Sequence, residues 1–327
     1  MLVSELRKEI KNYKTKDLED IIVELYKRVP KYKKEEYNID DFIKNIKSSK
    51  TQKSSKKKVS FDELKTEIKY FLDCVDKEYY VVPNRIISKK ERSSWRFKAK
   101  RYYKTLSEIL PDSKNGNEAT ELLIELFKRL SIGSNRLLFI NWETFRALGV
   151  AQGEYYDSLV KRILYNGYTR ENLEKCIKIL DFPSDPYELS FDMYYVLISN
   201  LKTIDNKIMT IDILSKKVTN LKIELKKTKN NSNLEYDLKE KINNCTQCIM
   251  EIYCLMKEAD NGIVYFHKNY IERNQEIVEY VLLNELYFLD LIDEWIKEYE
   301  DNVSKIDFRN SLKEQYILLK GQQNNSK

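Results

Sequence analysis

The sequence predicts an all-α protein, on three observations. Glycine and proline are scarce, 7 and 5 in 327 residues, whereas β-hairpins and dinucleotide-binding folds draw heavily on turn glycines. Charged residues reach 34% beside an ordinary hydrophobic fraction of 42%, the balance of helices that carry one apolar stripe and a charged outer face. Apolar residues recur at helical spacing along the chain and at seven-residue spacing in its C-terminal half. The expected architecture is a multi-helix bundle with a long antiparallel helical hairpin of coiled-coil type in the C-terminal half.

Residues 2–13 and 16–29 read as two short helices, with Thr15 as N-cap of the second and Pro30 ending it. Leu18, Ile21, Ile22, Leu25 and Val29 form the apolar stripe of the second helix. Segment 44–58 carries seven lysines and no acid, so it has nothing to bury and reads as a flexible linker. Four regions follow: an N-terminal helical pair (1–43), the Lys-rich linker (44–58), a helical core with a basic helix (59–186), and the long hairpin and bundle (187–327).

Ser60 with Glu63 makes a capping box that opens a helix over about 61–80. Ser88 with Glu91 makes another, opening a helix over about 89–110 that Pro111 ends. A helix over about 118–131 stops near Gly133, and three shorter helices follow, with breaks near Gly149–Gly153, Asn166–Gly167 and Pro183–Pro186. Ile204, Ile211, Val218 and Leu225 then recur every seven residues, with Leu214 and Leu221 beside them. After the polar turn 229–233, Leu238, Ile242, Cys245, Ile249, Ile252 and Met256 keep the 4-3-4-3-4 spacing of a coiled-coil seam. A long helix over about 265–301 and a last one near 305–319 complete the bundle, and the chain after Gly321 reads as disordered.

The chemistry is bounded mainly by exclusion. His267 is the one histidine, so a paired-histidine metal motif is ruled out within one chain, and neither a phosphate-binding P-loop nor a G-x-G-x-x-G fingerprint occurs. The reading leans against catalysis; an enzyme would need carboxylates or tyrosines brought together by the fold. No N-terminal signal is visible, and no apolar run approaches the roughly 20 residues of a membrane span. An odd set of five cysteines, Cys74, Cys176, Cys245, Cys248 and Cys254, reads as reduced core thiols in a cytoplasmic protein. Cys245-x2-Cys248-x5-Cys254 has a metal-like look. On one helix, however, Cys254 lies about 180° from Cys245, and Cys245 occupies the apolar seam. His267 reads as a surface or helix-start residue. Asp290, Asp293 and Glu294, or Glu272 with Glu276, read as a solvated face. No metal, no cofactor and no membrane contact are expected.

The feature that stands out is Arg85–Lys104, with nine cations and one acid, Glu91. Trp95, Ala99, Tyr102, Leu106 and Ile109 share a stripe toward the core, and the cations occupy most of the remaining surface. Arg85, Lys89, Lys90, Arg92, Arg96, Lys100, Arg101 and Lys104 are the candidate polyanion-binding residues. Like charges at i,i+4, such as Arg92 with Arg96 and Lys100 with Lys104, repel by a few tenths of a kcal/mol, about the size of a favourable pair. Phosphates of a nucleic acid would offset that repulsion. So would the acidic segment 271–300, with nine acids against two cations, lying against the basic helix within one chain or across a dimer; plain solvation is the third explanation. Residues 44–104 are net +12 in a chain of net +6, which leaves the remainder at −6.

These residues lead to a non-enzymatic helical binding or scaffold protein whose basic face docks a polyanionic or acidic partner. The hairpin at 203–258 would mediate self-association or bind a protein partner. The alternative is a nucleic-acid-binding protein that contacts the phosphate backbone without sequence specificity. A further alternative is an enzyme built on carboxylates or tyrosines.

The block Pro83-Asn-Arg85-Ile-Ile-Ser-Lys89-Lys-Glu-Arg92-Ser-Ser-Trp95-Arg96-Phe97 resembles one found in uncharacterised bacterial all-helical proteins. Asp17–Arg28 is similar to their N-terminal helix, and Phe139–Gln152, with Phe145 and Gly149-Val-Ala-Gln152, fits the same pattern. The resemblance covers residues 1–152 and implies a compact module in which the Arg85–Phe97 block matters. It implies no substrate, cofactor or catalytic residue.

Overall fold

The computed structural model describes residues 3–36, 39–44, 60–187, 192–228 and 232–325. Among these residues every regular element is an α-helix and there is no strand. The chain divides into two compact units, Met1–Leu64 and Lys65–Lys327.

In the first unit, helix Thr15–Arg28 is capped one residue earlier than the sequence indicates. The Lys14 N–H donates to the Asp17 carboxylate at 3.2 Å, so Thr15 is already the first helical residue. The expected apolar stripe stays outside: Ile21, Ile22 and Leu25 are exposed and no residue of this helix is buried. The helices that follow, Lys31–Glu36 and Ile39–Lys44, are six residues each, too short to cover a fourteen-residue face. From residue 45 onward the lysine-rich linker lies outside the described residues.

The Ser60–Glu63 capping box forms, with Ser60 N–H to Glu63 Oε2 at 3.0 Å and Glu63 N–H to Ser60 Oγ at 3.3 Å. It opens helix Phe61–Asp76. Ser88 accepts from the Glu91 N–H at 3.2 Å and caps Lys89–Ser93, but the Glu91 carboxylate turns to Lys98 instead of closing the box. The single helix expected over 89–110 is broken at Ser94, whose hydroxyl donates to the Glu91 carbonyl at 3.1 Å and draws off the helical ladder locally. The chain resumes as helix Trp95–Ser107. Trp95, Ala99, Tyr102 and Leu106 are buried, as the stripe predicts. Trp95 stacks on Phe139 with ring centres 4.0 Å apart, and Phe71 meets both Tyr80 and Tyr102 in the same aromatic layer.

Helix Gly116–Asn135 runs through Gly133 instead of stopping there. A β-carbon at Gly133 would sit 3.0 Å from the Phe139 ring and 3.1 Å from Thr144, so this glycine serves close packing rather than termination. Thr144–Leu148, Gln152–Leu164 and Arg170–Ile179 follow, with left-handed glycines at the expected breaks, Gly149 (φ 78°) and Gly167 (φ 114°). The division expected at 186/187 is bridged. Helix Asp192–Ser199 packs on Gln152–Leu164, Asn200 donates to Asp157 at 3.0 Å, and the Tyr168 hydroxyl donates to the Asn200 carbonyl at 3.0 Å.

Ile204–Lys227 and Ser232–Leu255, 24 residues each, pack on one another. In the second, Leu238, Ile242, Cys245, Ile249 and Ile252 are buried, but so are Thr246, Cys248, Met250, Glu251 and Cys254. Asp192–Ser199 and Ala259–Asn269 also pack on this helix, which explains burial beyond one seam. In the first, Ile204 is exposed and Val218 buried.

The long helix expected over 265–301 is three helices, Ala259–Asn269, Gln275–Phe288 and Ile292–Asn302. Asn274 restarts the chain as an N-cap, accepting from the Glu276 N–H at 3.0 Å. The next break carries a left-handed Asp290 (φ 58°). The last helix, Asn310–Asn325, continues past Gly321. The turns between these helices let Phe266, Leu282, Leu286, Trp295, Tyr299, Phe308 and Leu312 share one core. No helix among the described residues is long and apolar enough to cross a membrane.

Candidate functional site

The first candidate is the outer side of Trp95–Ser107. Its apolar stripe holds the helix to the core, so Arg96, Lys100 and Lys104, at i, i+4 and i+8, form one exposed row. Phe97 stands beside them, 63% exposed, with the Arg96 guanidinium 5.0 Å from its ring centre. Arg85, Lys89 and Lys90 are exposed on the segment before it. Among the described residues, Arg85, Lys89, Lys90, Arg96, Lys100 and Lys104 make no ion pair.

Two members of the expected face depart from it. Arg92 is buried and donates to the Ile87 carbonyl at 2.8 Å; it stands three and seven residues before Trp95 and Ala99, so it falls on the core-facing stripe itself. Arg101 pairs with Glu67, which also accepts from the Tyr102 hydroxyl at 3.0 Å. Lys100 and Lys104 line a recess of about 330 Å³ with Tyr103, Leu148 and Val150. Lys100 reaches over the left-handed turn at Gly149, where a β-carbon would come within 3.0 Å of its ammonium nitrogen.

The acidic segment 271–300 finds partners elsewhere. Glu276 is held by the Arg309 fork through two bonds of 2.7 Å, and Glu300 pairs with Lys320 at 2.8 Å. Among the described residues no ion pair joins this segment to Arg85–Lys104. Glu272, read as solvated, accepts from the N–H groups of Arg273 and Asn274.

The second candidate runs from the surface inward, with His267 exposed, Glu298 half-buried and Glu279 buried, and no sequence motif marks it. His267, in the last turn of Ala259–Asn269, stands between two carboxylates. Its Nε2 is 2.9 Å from Glu298 Oε1 and its Nδ1 is 3.7 Å from Glu279 Oε1. Glu279 is 1% exposed and its Oε2 is buried with no hydrogen-bond partner. Burial chiefly, with the Glu298 charge adding and His267 opposing, pushes Glu279 up to about 7. The bond to Glu298 raises His267 against the effect of burial.

A second acid pair, Glu251 with Glu285, is also buried or nearly so. Glu285 accepts from Gln247 at 2.6 Å and from the Tyr195 hydroxyl at 3.3 Å. Burial first, then the Glu285 charge, pushes Glu251 up to about 10, so it is protonated at neutral pH and hydrogen-bonds its partner as a neutral acid. Burial raises Glu285 as well.

One signal for these acids was readable. Glu279 precedes Leu282, Leu283 and Leu286 at +3, +4 and +7, which places a carboxylate on a core-facing stripe, where an acid is costly unless paired. The thiols Cys245, Cys248 and Cys254 are free and buried, and burial raises each of them. Comparison of the chain with family models, curated proteins and solved structures finds no match.

Proposed function

We propose that this chain is a non-enzymatic helical binding protein whose basic face docks a polyanionic or acidic partner through Arg85, Lys89, Lys90, Arg96, Lys100 and Lys104. One observation carries the reading: these six cations are exposed along residues 85–104, three of them (Arg96, Lys100 and Lys104) on successive turns of one helix, without an ion pair among the described residues. Unpaired like charge on one helix is unfavourable alone and favourable once a polyanion releases its counterions. Phe97 beside Arg96 adds a flat apolar contact of the kind that stacks on bases, which favours nucleic acid over an acidic protein. Five free thiols support a reducing, cytoplasmic location.

The test is fluorescence anisotropy with labelled single- and double-stranded oligonucleotides, in about 50 and 200 mM salt, on wild type and Arg96→Glu/Lys100→Glu/Lys104→Glu. Engagement of several phosphates predicts a loss of at least about tenfold over that salt range and no binding by the variant. If oligonucleotides fail but a labelled polyglutamate binds with the same salt and variant dependence, the partner is an acidic protein. Failure of both probes at low salt sinks the proposal.

The pair Ile204–Lys227 and Ser232–Leu255 is read as an antiparallel hairpin of coiled-coil type that serves self-association or partner binding. Ile204, Ile208 and Ile223 are exposed toward one side of the first helix and support that reading. Sedimentation equilibrium of wild type against Ile208→Glu/Ile223→Glu tests it. A wild-type monomer at all concentrations removes the self-association arm.

A further inference from the structure

Helices Ala259–Asn269, Gln275–Phe288 and Ile292–Asn302 bring His267, Glu279 and Glu298 to one place. One imidazole nitrogen and one oxygen from each carboxylate all lie within 4.8 Å of one another. Two acids and one imidazole in a half-buried site carry an excess negative charge whenever both acids are ionised, because a single imidazolium balances one carboxylate. The buried, unpartnered Glu279 Oε2 leaves acceptor capacity where water is excluded, which is costly for a polar interior atom. A divalent cation would supply both the missing charge and the missing partner.

We propose that His267, Glu279 and Glu298 form a binding site for one divalent first-row transition-metal ion, zinc being the representative case. The donor set decides the class. Magnesium and calcium favour oxygen-only shells, whereas an imidazole nitrogen with carboxylates suits zinc and its neighbours. Three protein ligands leave a fourth tetrahedral position for water.

Ligand bonds of about 2.0–2.2 Å require the three donors to draw together by about 1 Å, a side-chain adjustment. The surroundings already orient them. Asn302 Nδ2 donates to Glu298 Oε1 at 2.8 Å and Gln275 Nε2 to Glu279 Oε1 at 3.4 Å, the kind of outer hydrogen bonds that hold ligating carboxylates in place. The His267 side chain is 31% exposed while Glu298 and Glu279 are 13% and 1%, so solvent reaches the site past the imidazole. Binding replaces the proton between His267 and Glu298 with the ion, so protons are released on binding. The site is separate from the basic face and does not depend on the function proposed for it.

The experiment uses the full chain, stripped with a chelator and dialysed, and titrated with Co(II) and Zn(II) by absorption spectroscopy and calorimetry. Wild type is expected to bind one equivalent, with a cobalt spectrum free of thiolate charge transfer, which excludes the five cysteines. Glu279→Gln, close in shape to wild type, and His267→Ala are each expected to weaken binding at least about tenfold. If either variant fails to fold by circular dichroism, Asn302→Ala replaces it, expected to weaken binding by about tenfold through the Glu298 hydrogen bond. Substoichiometric binding by wild type, a thiolate band, or affinity that survives these substitutions would overturn the proposal.

Discussion

The two charge clusters of the Lys65–Lys327 unit stand in opposite relations to water. Arg96, Lys100 and Lys104 repeat one sign on adjacent turns, yet all three are exposed, and solvent with salt screens their repulsion to a few tenths of a kcal/mol per pair. Glu251 and Glu279 are equally like-charged with their neighbours Glu285 and Glu298, but are 1% exposed each. Inside, the same repulsion is unscreened, so these acids must hold a proton, as Glu251 does, or a cation. A crowded charge at the surface is available to a partner; a crowded charge in the interior must already have found one.

The largest effect that would break this comparison lies beneath the basic face. Trp95→Ala removes the ring stacked on Phe139 and should cost about 3–5 kcal/mol in urea unfolding. A loss under about 1 kcal/mol would mean that the exposed row is not held in register by its buried side.

Next in size is the titration of Glu251. Its unfolded value is 4.5 and its folded value about 10. A raised acid contributes stability that is fully present below 4.5 and lost as pH rises through the folded value. Unfolding free energy should therefore fall by up to about 1.4 kcal/mol per pH unit across that window from this group alone. Glu251→Gln removes the titration, so its advantage over wild type should grow with pH, to at most about 5 kcal/mol at pH 8, with near equality at pH 4.5. Parallel stability curves for the two proteins would refute the claim that Glu251 is neutral in the fold.

Gly133→Ala should cost about 1–2 kcal/mol despite a better helix former, because its β-carbon meets the same Phe139 ring that carries Trp95. A stabilised variant would show that this ring can move aside. The smallest effect sharpens the exterior side: Lys100→Glu and Lys104→Glu singly should each change stability by less than about 0.5 kcal/mol, while weakening oligonucleotide binding in the anisotropy assay.

Local features were legible because their causes are local. The Ser60–Glu63 box, the left-handed breaks at Gly149 and Gly167 and the Trp95–Leu106 core stripe depend on residues within one or two turns. Where an added local bond intervened, the reading slipped. Ser94 splits the basic helix; Asn274 restarts the chain about a quarter of the way along the expected long helix. Gly133 was legible as a glycine but not as a packing glycine, since Phe139 reaches it only in three dimensions.

By itself the sequence determined the helical class, most caps and breaks, and the exposed row Arg96, Lys100, Lys104, because a helix places residues four apart on one side whatever surrounds it. Tertiary structure alone decided which side chains meet the Glu279 carboxylate. His267, Glu279 and Glu298 lie on three separate helices, and no periodicity relates residues whose spacing depends on the turns between helices. Their meeting follows from how those helices share the core of Phe266, Leu282 and Trp295, a consequence of packing that no single helix encodes.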